Sequence, residues 1–129
     1  VAVIRALWDT SVFIARESGR RLDRSRSPRQ VGVSVVTVGE LRLGVLNSEP
    51  SDRDLRLSTL TGALALDPVP VDQAVAEAWA RLRSALRRDG KRMPVNDSWI
   101  AATALALKVP VVTQDADYDG VPDLDVIRV

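Results

Sequence analysis

The chain contains neither cysteine nor histidine. Without cysteine there is no disulfide framework, no thiolate metal site and no thiol nucleophile, a usage at home in the cytosol. Without histidine there is no Ser-His-Asp triad, no HExxH zinc site and no imidazole acid–base catalysis. Aromatic residues are few, namely Trp8, Trp79, Trp99, Phe13 and Tyr118. The three tryptophans fall in segments expected to be buried, so a platform for stacked bases is not expected. No apolar run approaches the roughly 20 residues that span a bilayer, and no charged-then-apolar export signal opens the chain. The expectation is a soluble, cytoplasmic protein with no membrane attachment. Polar chemistry has to come from carboxylates, hydroxyls, Arg, Lys, or a metal held by oxygen.

What is present is 129 residues, read as one domain over 1–129. A chain of this size hides about two-thirds of its unfolded surface, enough for a core without metal or disulfide support. The formal net charge of +1 is unevenly spread, +5 over residues 1–92 and −4 over residues 93–129. Sixteen of the eighteen basic residues are Arg, whose forked guanidinium suits phosphate, although arginine-rich codon usage accounts for the same count.

Apolar runs of strand length alternate with helix-period segments. Strands are expected at Ile4–Trp8, Val31–Val36, Pro110–Val112 and Leu124–Val129, with a weaker one at Ala63–Leu66. Val75, Trp79, Leu82 and Leu86 repeat with helical spacing up to Gly90, and Ser98–Lys108 is apolar nearly all round, as in a helix buried mid-fold. This alternation predicts an α/β domain with a central, mostly parallel sheet of about five strands flanked by helices. Arg20–Gln30, rich in Arg and Ser, reads as an exposed and partly mobile connection.

Acids recur at the carboxyl ends of the strands, where open parallel sheets bind ligands. Asp9 follows the first strand, Asp115 and Asp117 follow the fourth, Glu40 lies early in the helix after the second, and Asp97 opens the buried helix. Each has an ordinary explanation. Thr37 and Glu40 have capping-box spacing, Asn96 or Asp97 suits an N-cap, and Asp9 and Asp115 suit Asx-turns. Capping does not require four acids to converge on one edge, however. Two carboxylates ~5 Å apart repel by roughly 3 kcal/mol at an effective dielectric of about 20, so a cluster either takes up protons or calls for a cation. Basic residues are scarce nearby, Lys108 being the only one between Met93 and Ile127. A hard divalent ion, Mg²⁺ or Mn²⁺, fits such oxygen ligands and supports phosphodiester hydrolysis without histidine.

The stretches DTSVFIA (9–15), VSVVTVGELRLGV (33–45), VNDSWIAATALALKVPVVTQDADYDGV (95–121) and the ending DLDVIRV resemble the PIN-domain nucleases, in particular the VapC-like toxins of toxin–antitoxin pairs. The similarity runs over nearly the whole chain, with Gly39 where the family usually has Ala or another small residue before the Glu. It implies a Mg²⁺- or Mn²⁺-dependent endoribonuclease with Asp9, Glu40, Asp97 and Asp115 as metal-binding acids and Asp117 as a fifth carboxylate. It further implies that Ser11 and Thr113 line the site, that RNA is the substrate, and that the chain pairs as a homodimer or with a cognate antitoxin whose tail blocks the acids.

Arg81, Arg83, Arg87, Arg88 and Arg92 lie off the apolar face of the amphipathic helix or just past it, as either a solvated face or a phosphate track. Leu41, Leu43, Val45, Leu46 and the Leu55–Leu64 region exceed the need of one helix–sheet contact, as core, dimer surface or antitoxin groove. Two other readings stand beside the nuclease. One is a non-catalytic RNA-binding or interaction module whose acids cap helices. The other is a dehalogenase-type phosphatase with Asp9 as nucleophile, which lacks its usual second Asp because residue 11 is Ser.

Overall fold

Ala6-Leu7-Trp8 is apolar on both sides of the chain, as a strand covered on both faces must be, and it forms β1 (Ala6–Trp8) in a parallel sheet. The computed structural model describes residues 3–129. Among them the sheet has four strands rather than about five, in the order β2-β1-β3-β4, with β2 at Val31–Gly32, β3 at Val111–Thr113 and β4 at Val126–Arg128. All three pairings are parallel. The helices are α1 (Thr10–Glu17), α2 (Val35–Leu46), α3 (Arg53–Leu64), α4 (Gln73–Arg88) and α5 (Val95–Leu107).

Side chains alternate across the sheet and meet two cores. Ala6, Trp8 and Val112 face Val12 and Phe13 of α1, Leu41 and Val45 of α2, and Leu60 and Ala63 of α3. Leu7 and Val111 face Leu82 and Leu86 of α4, Ile100, Ala101 and Ala104 of α5, and Tyr118. The amphipathic α4 covers α5, which explains why α5 is apolar all round.

Two expected strands are corrected. Val31–Val36 is strand only through Gly32, because Ser34 takes the N-cap of α2 and its Oγ accepts from the Val36 N–H at 3.0 Å. Ala63–Leu66 is not a strand, since Ala63 and Leu64 complete α3 and Leu60 and Ala63 pack into the core. A parallel bridge at Ser34–Val69 stands in its place. Arg20–Gln30 is largely exposed, but it is pinned: a 3₁₀ turn at Arg24–Arg26 leads to Ser27, whose Oγ accepts from Trp8 Nε1 at 3.0 Å. Leu41 and Val45 belong to the core, whereas Leu43, Leu46, Leu55 and Leu64 are exposed. Among the described residues no helix is long and apolar enough to cross a membrane.

Candidate active site

The carboxyl ends of β1 and β3 lie side by side. Asp9 follows Trp8, and its N–H still donates to the Val112 carbonyl at 3.0 Å, so the ladder holds its backbone. It stands at the N-cap position of α1 without a side-chain capping bond. Ser11 Oγ donates to Asp9 Oδ1 at 2.6 Å, and Thr113 Oγ1 donates to Oδ2 at 2.8 Å. Both hydroxyls are set in turn by backbone donors, the Gln114 N–H on Ser11 at 3.0 Å and the Asp115 N–H on Thr113 at 2.9 Å. Ser11 and Thr113, expected to line the site, clamp the carboxylate of Asp9.

Glu40 sits one turn deeper in α2 than expected, and the capping box does not form because Ser34 caps the helix. Thr10 Oγ1 donates to Glu40 Oε1 at 2.7 Å, which uses its single hydrogen. The 2.9 Å contact between Thr10 and the buried Thr37 is therefore donated by Thr37. Asp97 is the third residue of α5, with Pro94 at the N-cap, so it is no cap either. The fully buried Tyr118 donates its phenol to Asp97 Oδ1 across 3.4 Å. Asp115 is half-buried and Asp117 exposed.

Charge binds these groups into one system. Burial raises the Asp9 carboxyl to about 6; the Ser11 and Thr113 hydrogen bonds oppose the rise and the charge of Asp115 adds to it. Asp97 is pushed up to about 7, first by burial, then by the neighbouring Asp117, and then by the charges of Asp9 and Glu40. Burial, with Asp9 and Asp97 beside it, drives the Tyr118 phenol far above its ordinary value and keeps it protonated. The five expected acids thus act on one another. The one ion pair among the described residues joins Arg128 to Asp119, so none of the five has a cationic side chain to answer it.

Among the described residues no three carboxylates close into a ready-made cage. The donor set is nonetheless that of a hard cation: oxygen only, mutually repelling and uncompensated. Mg²⁺ in particular asks for one or two carboxylates and fills the rest of its sphere with water. The residues fit such an ion. Three site residues escape the sequence reading, namely Thr10, Thr37 and Tyr118, because hydroxyl partners 20 to 30 residues apart leave no local pattern.

The basic residues divide. Arg83, Arg87 and Arg92 line an open hollow of about 750 Å³ with Lys91, whose Nζ donates to the Gly120 carbonyl at 3.4 Å. That contact joins the hollow to the loop carrying Asp115 and Asp117. Arg81 lines a separate hollow against Leu105 and Pro122, and Arg88 is exposed beyond both. Trp8 is buried as expected, while Trp79 and Trp99 are half-buried and stack on each other at 4.3 Å.

A family model described as PIN domain matches residues 6–124. Ribonuclease VapC4 of Mycobacterium tuberculosis is 53% identical over 129 residues, covering 98% of both chains. Ribonuclease VapC5 of the same organism is 48% identical over 125 residues, covering 94% of this chain and 93% of its own. A crystal structure of VapBC-5, a member of the VapBC family of toxin–antitoxin systems from M. tuberculosis, superposes with a TM-score of 0.88 at 43% identity, covering 97% of this chain and 98% of that one. Sequence, topology and the placing of acids at one sheet edge agree: the chain belongs to the PIN domain family, among its VapC-like members.

Proposed function

We propose that this chain is a Mg²⁺- or Mn²⁺-dependent endoribonuclease that acts in the cytoplasm as the toxin of a toxin–antitoxin pair. One observation carries the reading: acids from four separate segments act on one another at a single sheet edge, and no cationic side chain among the described residues pairs with them. Relatives named as ribonucleases and a neighbour solved as a toxin–antitoxin system support it. The helix-cap account of the acids is weaker, since Ser34 and Pro94 hold the N-cap positions expected of Thr37 and of Asn96 or Asp97, and Asp9 makes no side-chain capping bond.

Asp9, Asp97 and Asp115 would hold the ion, with Glu40 as a further ligand or as the group that orients attacking water, and Asp117 in the outer shell or at a second ion. When bound, such an ion polarises the phosphodiester and brings the pKa of its water near neutrality. The clamp of Ser11 and Thr113 fixes the Asp9 carboxylate plane and leaves each oxygen a second lone pair for an ion. Thr10 occupies Oε1 of Glu40 and leaves Oε2 for a water molecule. Tyr118 stays protonated and steadies Asp97 from beneath. Arg83, Arg87, Lys91 and Arg92, joined to the Asp117 loop, would draw the RNA backbone toward the acids that alone repel it, with Arg81 and Arg88 adding to the field. A cognate antitoxin, or a second copy of the chain, would cover exposed leucines such as Leu43 and Leu46.

Cleavage of single-stranded RNA by purified protein tests the reading. Cutting should require Mg²⁺ or Mn²⁺, and Asp9→Asn and Asp97→Asn should each lose more activity than the roughly 10–100-fold typical of removing a group that only hydrogen-bonds a metal ligand. Either variant cutting RNA at the wild-type, metal-dependent rate contradicts it.

A further inference from the structure

Arg20–Gln30 is not absorbed by the acidic site, yet it builds one wall of a second cavity. This cavity, of about 600 Å³, lies against the core face that holds Trp8 and Phe13. Three guanidinium groups line it: Arg16 from the last turn of α1, Arg24 from the 3₁₀ turn, and Arg29. No carboxylate shares the lining, and among the described residues none of the three makes an ion pair.

Two of the arginines are set against the aromatic rings, and the third is carried by the backbone of the same loop. Arg16 lies 5.6 Å from the Trp8 ring centre and 5.8 Å from that of Phe13, and Arg24 lies 5.5 Å from Trp8. The ring thus attracts two like charges to one spot. The Trp8 Nε1–H donates to Ser27 Oγ at 3.0 Å, and that hydroxyl donates to the Pro28 carbonyl at 2.9 Å, which ties the loop bearing Arg24 and Arg29 to the core. Gly62 completes the lining beside Arg16. Positioned guanidiniums without a counter-charge are built for a forked anion.

We propose that Arg16, Arg24 and Arg29 form a phosphate-binding site, and that the phosphate belongs to the RNA strand whose scissile bond lies at Asp9. Asp9 and Arg16 stand seven residues apart along α1, about 10 Å at 1.5 Å per residue. A phosphate held there would anchor the strand on the α1 face of the sheet, opposite the face that α4 covers. The source of the phosphate rests on the ribonuclease reading, whereas the site itself does not.

The test measures binding in the uncut state, on the Asp97→Asn background, with a short fluorescent single-stranded RNA and with inorganic pyrophosphate. Arg24 and Arg29 are exposed, so the pair Arg24→Gln and Arg29→Gln spares the core, and Arg42→Gln with Arg53→Gln removes equal charge elsewhere. The pocket pair should weaken RNA binding at least tenfold beyond the control pair. It should also lower the slope of log affinity against log salt by about 1.4, roughly 0.7 for each guanidinium taken away from a single-strand phosphate. The rise in melting temperature with pyrophosphate should vanish in the same pair. Loss of the pyrophosphate response with RNA affinity at the control level overturns the RNA assignment and gives the site to a free phosphate compound. Both ligands bound as in the control pair overturns the site, whether or not the wild type cuts RNA. Tight, pocket-dependent binding by a protein that cuts no RNA would instead sink the nuclease reading and leave the site standing.

Discussion

At Asp9 and Asp97 a proton is held more tightly by the folded chain than by the unfolded one. Their carboxyls sit at about 6 and about 7, against an ordinary 3.8. The unfolded chain has lost both protons above about pH 4, while the folded chain keeps them until about pH 6 and about pH 7 respectively. Metal-free stability is therefore fully present below that range and falls as pH rises through 6 and 7. Divalent-free melting should give a higher Tm at about pH 5 than at about pH 8, and Asp97→Asn should flatten the difference; a wild-type Tm that rises over this range contradicts the assignment. Thr10 offers a second test. Thr10→Val keeps the shape but strands the Thr37 hydroxyl and frees Glu40 Oε1. A cost of about 1–3 kcal/mol in stability is expected, with a roughly 10–100-fold loss of kcat/KM, both restored by Thr10→Ser. Asp9 and Asp115 are legible in the sequence because each comes within two residues of its strand's end. Tyr118 beneath Asp97 is not, since the two meet only through the packing of α5 against the loop after β3.

Helices announce themselves through their ends, and the misread elements are those whose ends carry competing signals. Val31–Val36 is a β-branched run, but Ser34 offers its hydroxyl to the backbone and the helix wins from Val35 onward. Ala63–Leu66 is apolar enough for a strand, yet Leu60 and Ala63 stand three apart on the buried stripe of α3, and packing decides. Where the end is unambiguous the reading holds: α4 stops where Gly90, at φ +66°, lets its N–H reach the Arg87 carbonyl and that of Lys91 reach Leu86. The same pattern ends α5, but with Lys108 at φ +57° in the glycine position, its N–H on Leu105 and that of Val109 on Ala104. Lys108→Gly should therefore stabilise the protein by on the order of 1 kcal/mol. Chemical denaturation measures this, and a loss of stability contradicts it.

Over the whole molecule, the charge asymmetry of the sequence becomes a spatial one. The acid-rich final third supplies Asp97, Asp115 and Asp117 to the sheet edge, while the arginines gather in the α4 hollow and around Trp8. The parallel order of β1 and β3 is the feature that turns distant acids into neighbours, because it brings Asp9 and Thr113 within a hydrogen bond across 104 residues. No pattern along the chain reveals that register, although alternation of strands and helices implies a parallel sheet. The central claim, that these carboxylates share a divalent cation, is tested most directly by Mn²⁺ titration followed by thermal melting near pH 7.5. Wild-type Tm should climb with Mn²⁺ concentration, as for any ligand bound only by the folded state, and Asp97→Asn should lose most of the climb. A wild-type Tm indifferent to Mn²⁺, or an equal climb in Asp97→Asn, would contradict the account.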